Sequence, residues 1–157
     1  MPKAEIVLAT AEHAKELARN IRFPDRKEIF AAAGWVNAYD CIRASARLGG
    51  TAYAGLVDGE VACILGVHRH TQMSTKGIPW LLTTHVVDKH PRLFLRYTRQ
   101  GMEEIKQTWD FDVLENYVDA RHHEAIRWLK WLGFTIHPAQ PYGIMGLPFH
   151  RFDMRIK

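Results

Sequence analysis

The chain has 157 residues, of which 47% are hydrophobic and 24% charged, and it carries a net charge of +4 at pH 7. These values are typical of a globular protein with a sizeable core, so we predict a single domain over residues 1–157. No apolar run approaches the ~20 residues of a membrane span, and the opening residues lack the order of a signal peptide. The two cysteines show no CxxC spacing, so we predict an intracellular, cytoplasmic protein with neither a disulfide framework nor a zinc site.

Two features of the charged residues concern possible ligands. No run of five or more Lys and Arg residues is present, so nucleic acid is not a predicted partner. The modest positive charge fits either a role in solubility or an anionic ligand. His68-x-His70 has a spacing that metal ligands can use, but no acidic or Cys ligand accompanies it in the sequence, and no metal is predicted.

The first third of the chain predicts one strand followed by helices. Glu5–Ala9 is a short apolar run, and Thr10 can cap the amphipathic helix that follows it. Phe23-Pro24-Asp25 interrupts that helix. Two further helical pieces are predicted, over Arg26–Ala33 and Ala38–Leu48, the second ended by Gly49-Gly50.

A β-hairpin is the clearest local pattern in the sequence. Thr51–Val57 and Glu60–His68 are rich in β-forming residues, and Asp58-Gly59 joins them. A two-residue Asp-Gly connection suits a type I′ turn, because Gly tolerates the positive φ that this turn requires. Ile78–Thr84 predicts a third strand, in which Pro79 is acceptable only at an edge, a bulge or a strand opening.

The second half of the chain predicts two helices alternating with strands. Pro91 suits the first position of a long helix, and Gly101 on its apolar face would allow close approach to a sheet. Val113–Val118 is the next strand, and Asp119 can cap a helix that Gly133 ends. Two late strands are predicted, over Phe134–His137 and Phe149–Ile156. The resulting order β-α-α-β-β-β-α-β-α-β-β implies a mixed sheet with helices on its faces.

The segment Leu114–Phe134 resembles the strand–helix–Gly-Phe segment near the C terminus of the GNAT (N-acetyltransferase) superfamily. The matching positions are Val118, Ala125, Ile126, Leu132, Gly133 and Phe134. The resemblance implies a fold of the α/β (α+β) class, a GNAT-like mixed central sheet of six to seven strands with about four helices. More narrowly, the chain is similar to phage- and prophage-encoded GNAT-like proteins related to an internal virion protein of short-tailed phages. The stretches that carry this similarity include Trp80–Thr84, Asn116–Val118, Arg127–Lys130 and Gly146–Phe152.

The GNAT resemblance implies transfer of an acetyl group from acetyl-CoA to an amine, with acetyl-CoA or CoA as co-substrate and no metal. The pantetheine would lie between two parallel strands that part, here Ile78–Thr84 and Val113–Val118. The implied cofactor-binding residues are Leu82, Thr83 and Thr84 on the strand and Lys89, Arg92 and Arg96 toward the phosphates. A solvated stripe of arginines, and ordinary strand pairing of the threonines, are the alternatives.

His122, His85 and Asn116 are the candidate catalytic residues. His122 stands where the family commonly has Asn, and either histidine could take a proton from the amine. Ordinary structural roles are the alternative for all three. Tyr117 or Tyr142 could supply the acid, because Leu129 stands where the family often has a catalytic Tyr.

The connection Thr84–Leu93 contains no glycine, although the family uses a Gly-rich loop here to approach the pyrophosphate. Two functions therefore stay open. The first is an acyl-CoA-dependent N-acyltransferase acting on an unknown amine or protein acceptor. The second is a catalytically inactive GNAT-like protein with a structural or binding role in phage assembly, in the host cytoplasm or the virion. Its partner would be a virion protein, a host protein or a second copy of the chain.

Overall fold

The structure, a computed structural model, describes residues 1–46 and 51–157. The predicted end of a helix at Leu48 and the Gly49-Gly50 stop lie outside the described residues. Within those residues the chain forms one seven-stranded sheet flanked by helices. The strands are β1 (Ala4–Leu8), β2 (Thr51–Val57), β3 (Glu60–Arg69), β4 (Lys76–Thr83), β5 (Val113–Asp119), β6 (Thr135–Tyr142) and β7 (Leu147–Arg155). The helices are α1 (Ala11–Asn20), α2 (Phe23–Ala33), α3 (Ala38–Ala46), α4 (Val86–Lys89), α5 (Pro91–Thr108) and α6 (His123–Leu132).

The sheet has the strand order β1-β2-β3-β4-β5-β7-β6 and is antiparallel except for the β4–β5 pair. This architecture confirms the predicted α/β (α+β) class and mixed sheet. The Asp58-Gly59 turn is also confirmed, since φ is 49° at Asp58 and 81° at Gly59. Thr10 caps α1 as predicted: its hydroxyl accepts a hydrogen bond from the His13 N–H at 3.2 Å.

Several predicted boundaries were wrong for reasons that lie outside the local sequence. The first helix ends before Phe23-Pro24, at Asn20, but α2 begins at Phe23 and not at the predicted Arg26, because proline costs nothing in the first helical turn. Part of the predicted 84–93 connection forms the short helix α4. β6 continues to Tyr142 as an edge strand that pairs with β7. A Cβ added at Gly101 would meet open space, so this glycine does not mediate close packing.

Two hydrophobic clusters place the helices on opposite faces of the sheet. One cluster includes Leu17, Ile29, Ile42 and Ile64 and joins α1–α3 to the sheet. The other joins α5 and α6 to the strands and contains Phe111 and Leu114, both fully buried. Burial of these side chains supplies most of the driving force for assembling the layers.

β4 and β5 run parallel but pair only at their beginnings, through Lys76↔Val113 and Gly77↔Leu114. Beyond Gly77 the strands part, as expected, and α5 lies in the connection between them. Pro79 is tolerated in the middle of β4 because of this separation. Residues of even number on β4 direct their backbone groups toward β3, since Thr84 N–H donates to Ala62 O. The nitrogen of Pro79 therefore faces the gap, where no strand needs a hydrogen bond.

Candidate functional site

The parting of β4 and β5 leaves a cleft of about 640 Å³. The cleft passes between the two helical layers of the fold. On one side its walls come from α2 and α3, including Ile29 and Cys41. On the other side they come from α5 and α6, including Met102 and Leu129. Side chains from both helical layers therefore line one continuous cleft.

The β4 edge that faces the cleft offers one unoccupied stretch of backbone. The side-chain amide of Asn116 donates to Pro79 O at 2.7 Å, and Thr83 N–H donates to Asp25 at 2.7 Å. Thr83 O accepts from the Arg22 N–H at 3.0 Å. Leu81 lies between these positions. Backbone groups of successive residues in a strand point to alternate sides, so the N–H and C=O of Leu81 point into the cleft. They have no hydrogen-bond partner within the described residues.

The predicted cofactor-binding residues Leu82, Thr83 and Thr84 already have most of their polar groups paired. Leu82 and Thr84 direct their backbone toward β3, and the Thr84 hydroxyl donates to Val61 O at 2.8 Å. The Thr83 hydroxyl and N–H both donate to Asp25. Leu82 and Thr83 line the cleft and Thr84 does not, while the free backbone groups belong to Leu81.

Asn116 lies on β5 and reaches across the cleft to β4. Its amide nitrogen donates to Pro79 O, and its carbonyl oxygen accepts from the Tyr117 N–H at 2.8 Å. Both ends of the side chain are thus used within the protein. The geometry makes Asn116 a brace between the parted strands, which agrees with the structural alternative that the sequence left open.

His122 lies at the wide end of the cleft between two carboxylates from α2. Its Nε2 is 3.8 Å from Asp25 Oδ1, and its Nδ1 is 3.6 Å from Glu28 Oε1. The imidazole is only 9% exposed, and its Nδ1 is buried without a hydrogen-bond partner in the described part of the chain. A buried imidazole nitrogen of this kind is available to a ligand or to a proton in transit.

The three groups influence one another's protonation. Burial raises the pKa of Asp25, against the opposing effects of the Thr83 hydrogen bonds and the His122 charge. Burial lowers the pKa of His122, but Glu28 and Asp25 raise it by more, so its pKa lies above the usual value despite the nearby Arg22 guanidinium. The cluster can therefore hold a proton on either the imidazole or a carboxyl group.

Arg22 closes the wide end of the cleft from the α1–α2 connection. Its guanidinium lies 2.9 Å from Glu124 on α6 and 3.4 Å from Asp88 on α4. Ile21 forms an isolated antiparallel bridge with Thr84 next to it. The connection between α1 and α2 thus lies along the end of β4, and its ion pairs tie together three elements that surround the opening.

The connection from β4 to α5 satisfies its own backbone groups. Val86 N–H donates to the Thr84 hydroxyl, Val87 N–H to Thr84 O and Asp88 N–H to His85 O. A glycine-rich loop would instead leave several N–H groups pointing at a phosphate. The helical turn α4 thus leaves fewer donors for a pyrophosphate than the family pattern provides.

The other predicted site residues lie outside the cleft lining. His85 precedes α4 and is exposed. Lys89, Arg92 and Arg96 are also exposed, at the end of α4 and on the first turns of α5. The structure therefore brings His122 and Asn116 to the cleft and leaves His85 on the surface.

Two phenols lie in the cleft wall on the side of α2. The rings of Tyr117 and Tyr142 stack with centroids 3.9 Å apart, and each residue is 36% exposed. Burial, and to a lesser degree Tyr117, raises the pKa of Tyr142, which keeps this phenol protonated. Leu129, at the position of the family's acid, is buried in the opposite wall.

Sequence reasoning missed Arg22, Asp25 and Glu28. These residues recur at i, i+3 and i+6, so they form a polar stripe on one side of a helical segment. That periodicity was the available signal. It did not show which element the stripe would face, because His122 follows about a hundred residues later.

No family model matches the sequence, and a search of curated proteins finds no match either. Solved structures do match. A GNAT-family acetyltransferase from Streptococcus pneumoniae has a TM-score of 0.69 at 13% identity, covering 98% of this chain and 99% of that one. A ribosomal alpha-N-protein acetyltransferase in complex with CoA has a TM-score of 0.73 at 10% identity, covering 97% and 93%. A spermidine N-acetyltransferase chimera from Vibrio cholerae has a TM-score of 0.72 at 4% identity, covering 98% and 95%.

At these identities the comparisons establish the fold, which is that of GNAT acetyltransferases. Within residues 1–46 and 51–157, no helix is both long and apolar enough to span a membrane. The same residues contain no group of three or more His, Cys, Asp or Glu side chains suited to hold a metal ion.

Proposed function

We propose that this protein is an N-acyltransferase that moves an acyl group, in the simplest case acetyl, from a CoA thioester to an amine. The observation that carries the proposal is the cleft between the parted strands β4 and β5, with His122 between two carboxylates at its wide end. The fold shared with a CoA-bound acetyltransferase supports the same reaction. A cleft of this size, lined from both helical layers, suits a direct transfer between two bound substrates.

His122 is the proposed general base. An amine arrives mainly as an ammonium ion, and the carboxylates of Asp25 and Glu28 favour a cation in the cleft. Neutral His122 takes one proton from it, after which the amine nitrogen attacks the thioester carbon. The C–N bond forms as the C–S bond breaks, and the thiolate leaves. A phenol such as Tyr142 or Tyr117 can give a proton to the sulfur and take up the second proton that the nitrogen loses as the amide forms.

The acyl donor has a partial set of contacts available. The free N–H and C=O of Leu81 can pair with a pantetheine amide, and Thr83 joins them when Asp25 releases its N–H. Lys89, Arg92 and Arg96 are proposed contacts for the exposed phosphates, beside the N terminus of α5. Asn116 braces the strands on either side of the donor.

A second candidate function is a GNAT-like scaffold that binds a partner without catalysis. Two observations favour it. The backbone groups of the 84–90 connection pair with one another, and Arg22 and Asp25 each form a hydrogen bond with the backbone of Thr83 at the end of β4. The narrower similarity to phage proteins belongs to this candidate and predicts a virion or host protein as partner, or a second copy of the chain. For the first candidate, the transferase, the predicted acceptor is still an amine or a protein.

Titration with acetyl-CoA separates the two candidates. A transferase should be stabilised by a donor that binds the folded state, by about 2.7 kcal/mol at a hundredfold excess over Kd. The measurements are a thermal shift and calorimetry, with desulfo-CoA and ADP as matched ligands. We expect acetyl-CoA to shift Tm more than ADP does. No shift at millimolar acetyl-CoA would favour the scaffold and count against the transferase.

The rate of transfer should depend on pH through His122. The base must be neutral, and the raised pKa of His122 places its deprotonation above the usual value of 6.5. We therefore expect log(kcat/KM) to rise with pH and level off only above that pKa. Glu28→Gln removes a carboxylate that raises this pKa, so the midpoint should move to lower pH. An unchanged midpoint in this variant would assign the titration to another group.

A further inference from the structure

A second surface of the molecule lies largely outside the groups used by the proposed reaction and shares only Arg96 with the proposed phosphate contacts. It lies on the outer side of α5 and α6 and consists of Arg96, Arg99, Arg127, Lys130 and the ring of Trp131. All five residues are exposed. We call this surface the basic face. It lies on the side of the sheet opposite α1–α3.

The two helices present the basic face as one continuous surface. The guanidinium carbon of Arg99 on α5 lies 3.9 Å from the centre of the Trp131 ring on α6. One turn away, the indole N–H of Trp128 donates to the Thr98 hydroxyl at 3.3 Å, and its ring packs on Phe94. These contacts hold α5 and α6 side by side, so cations from both helices share one side of the protein.

The cations of the basic face lack carboxylate partners. Within the described residues, no carboxylate oxygen lies within 4.0 Å of any of the four charged groups. On the same helices Glu103 pairs with Lys106 and Glu124 with Arg22, while Glu104 is exposed and Glu124 also feels the charge of Arg127 at longer range. Four cations without an ion-pair partner, gathered in one place, favour a polyanionic ligand.

The dimensions of the basic face exceed those of a single phosphate group. Arg96 and Arg99 are three residues apart, which is about 4.5 Å along a helix, and neighbouring helix axes lie about 8–10 Å apart. Extended arginine side chains widen the face further. Such spacing suits successive phosphates on a polymer, and guanidinium groups bind phosphate through paired N–H donors.

Trp131 adds an aromatic platform to the charges. It is 41% exposed, and an exposed indole beside arginines can stack with an unpaired base. Apart from Leu95 at 37%, no other large apolar residue of α5 or α6 is strongly exposed in the described structure. The face thus lacks the apolar stripe that a membrane-surface helix would need.

We propose that the basic face binds the phosphate backbone of single-stranded nucleic acid. The sequence argued against such a partner because no run of Lys and Arg is present. Helical periodicity spreads the cations along the sequence, and the packing of α5 against α6 brings them together. This inference does not rest on the proposed acyl transfer.

The test measures binding of a fluorescein-labelled 20-nucleotide single strand by anisotropy, at several KCl concentrations. We expect log K to fall linearly with log salt. Removing three contacts by Arg99→Gln, Arg127→Gln and Lys130→Gln should shrink the slope by about 2, at about 0.7 per phosphate contact. Affinity should fall at least tenfold, and Trp131→Leu alone should lower it about tenfold.

A matched triple variant controls for net charge. Lys3→Gln, Arg19→Gln and Arg26→Gln remove the same three charges from the β1, α1 and α2 side of the protein, where all three are exposed. We expect affinity within about threefold of the parent. Equal losses of affinity in both triple variants would mean that binding depends only on net charge, and would overturn the proposal. Displacement of the labelled oligonucleotide by saturating CoA would also overturn the proposal, because it would assign the basic face to the nucleotide part of CoA.

Discussion

Replacing His122 with glutamine should lower kcat/KM for acylation of an amine by about 10²–10⁴-fold, the usual contribution of a positioned general base. Glutamine keeps much of the size and polarity of the side chain but cannot accept the proton at neutral pH. The loss should be mainly in kcat, since the carboxylates of Asp25 and Glu28 remain to attract the amine. The measurement is a steady-state assay of CoA release with a panel of primary amines.

Two controls separate catalysis from folding. His85→Gln changes the rival histidine, which is exposed and does not line the cleft, and it should leave kcat/KM unchanged. His123→Gln changes the residue next to His122 at the exposed start of α6. A thermal melt of His122→Gln checks that the protein folds. The role of His122 would be falsified if His85→Gln lost activity and His122→Gln retained it.

Replacing Phe111 with alanine should lower the free energy of unfolding by about 3–5 kcal/mol, as for other large aromatic side chains removed from a core. Phe111 is fully buried and stacks on Trp109 with ring centroids 5.8 Å apart. The Arg69 guanidinium lies 5.0 Å from the centre of its ring. The ring also packs close to Gly77, where β4 and β5 form their two paired positions.

The loss at Phe111 should appear as a lower urea midpoint with a nearly unchanged m-value. Phe23→Ala is the matched control, because Phe23 begins α2 and is 70% exposed. Its effect should stay within about 0.5 kcal/mol. Similar midpoints for the two alanine variants would mean that the junction of β4 and β5 does not depend on Phe111.

Elements whose conformation depends on neighbouring residues were predictable from the sequence. Asp58-Gly59 specifies its turn because few residues adopt positive φ. The strands on either side were predicted over Thr51–Val57 and Glu60–His68, and the second continues by one residue to Arg69. Pro91 begins α5, and Gly133, at a φ of 107°, ends α6. These signals act over a few residues and need no knowledge of the rest of the chain.

Part of the candidate site was also visible in the sequence. His122 and Asn116 belong to the β5–α6 segment whose spacing resembles the GNAT superfamily, so their place near the parted strands could be predicted. Thr83 was predicted on the strand beside the gap, and its hydrogen bonds to Asp25 were not foreseen. The side chains of Asp25 and Glu28 reach the site from α2, which the sequence suggested only as a helix.

The sequence by itself determined the helices apart from α4, the hairpin, most of the strands and the superfamily-like β5–α6 segment, because each depends on local backbone preferences and apolar periodicity. The tertiary structure decided which charges meet. It set Asp25 and Glu28 against His122, tied Arg22 to Glu124, left Leu81 as the free part of the β4 edge and joined the cations of α5 and α6. Electrostatic and hydrogen-bonding partners are selected by distance in space, and packing of the two helical layers on the parted sheet fixes those distances.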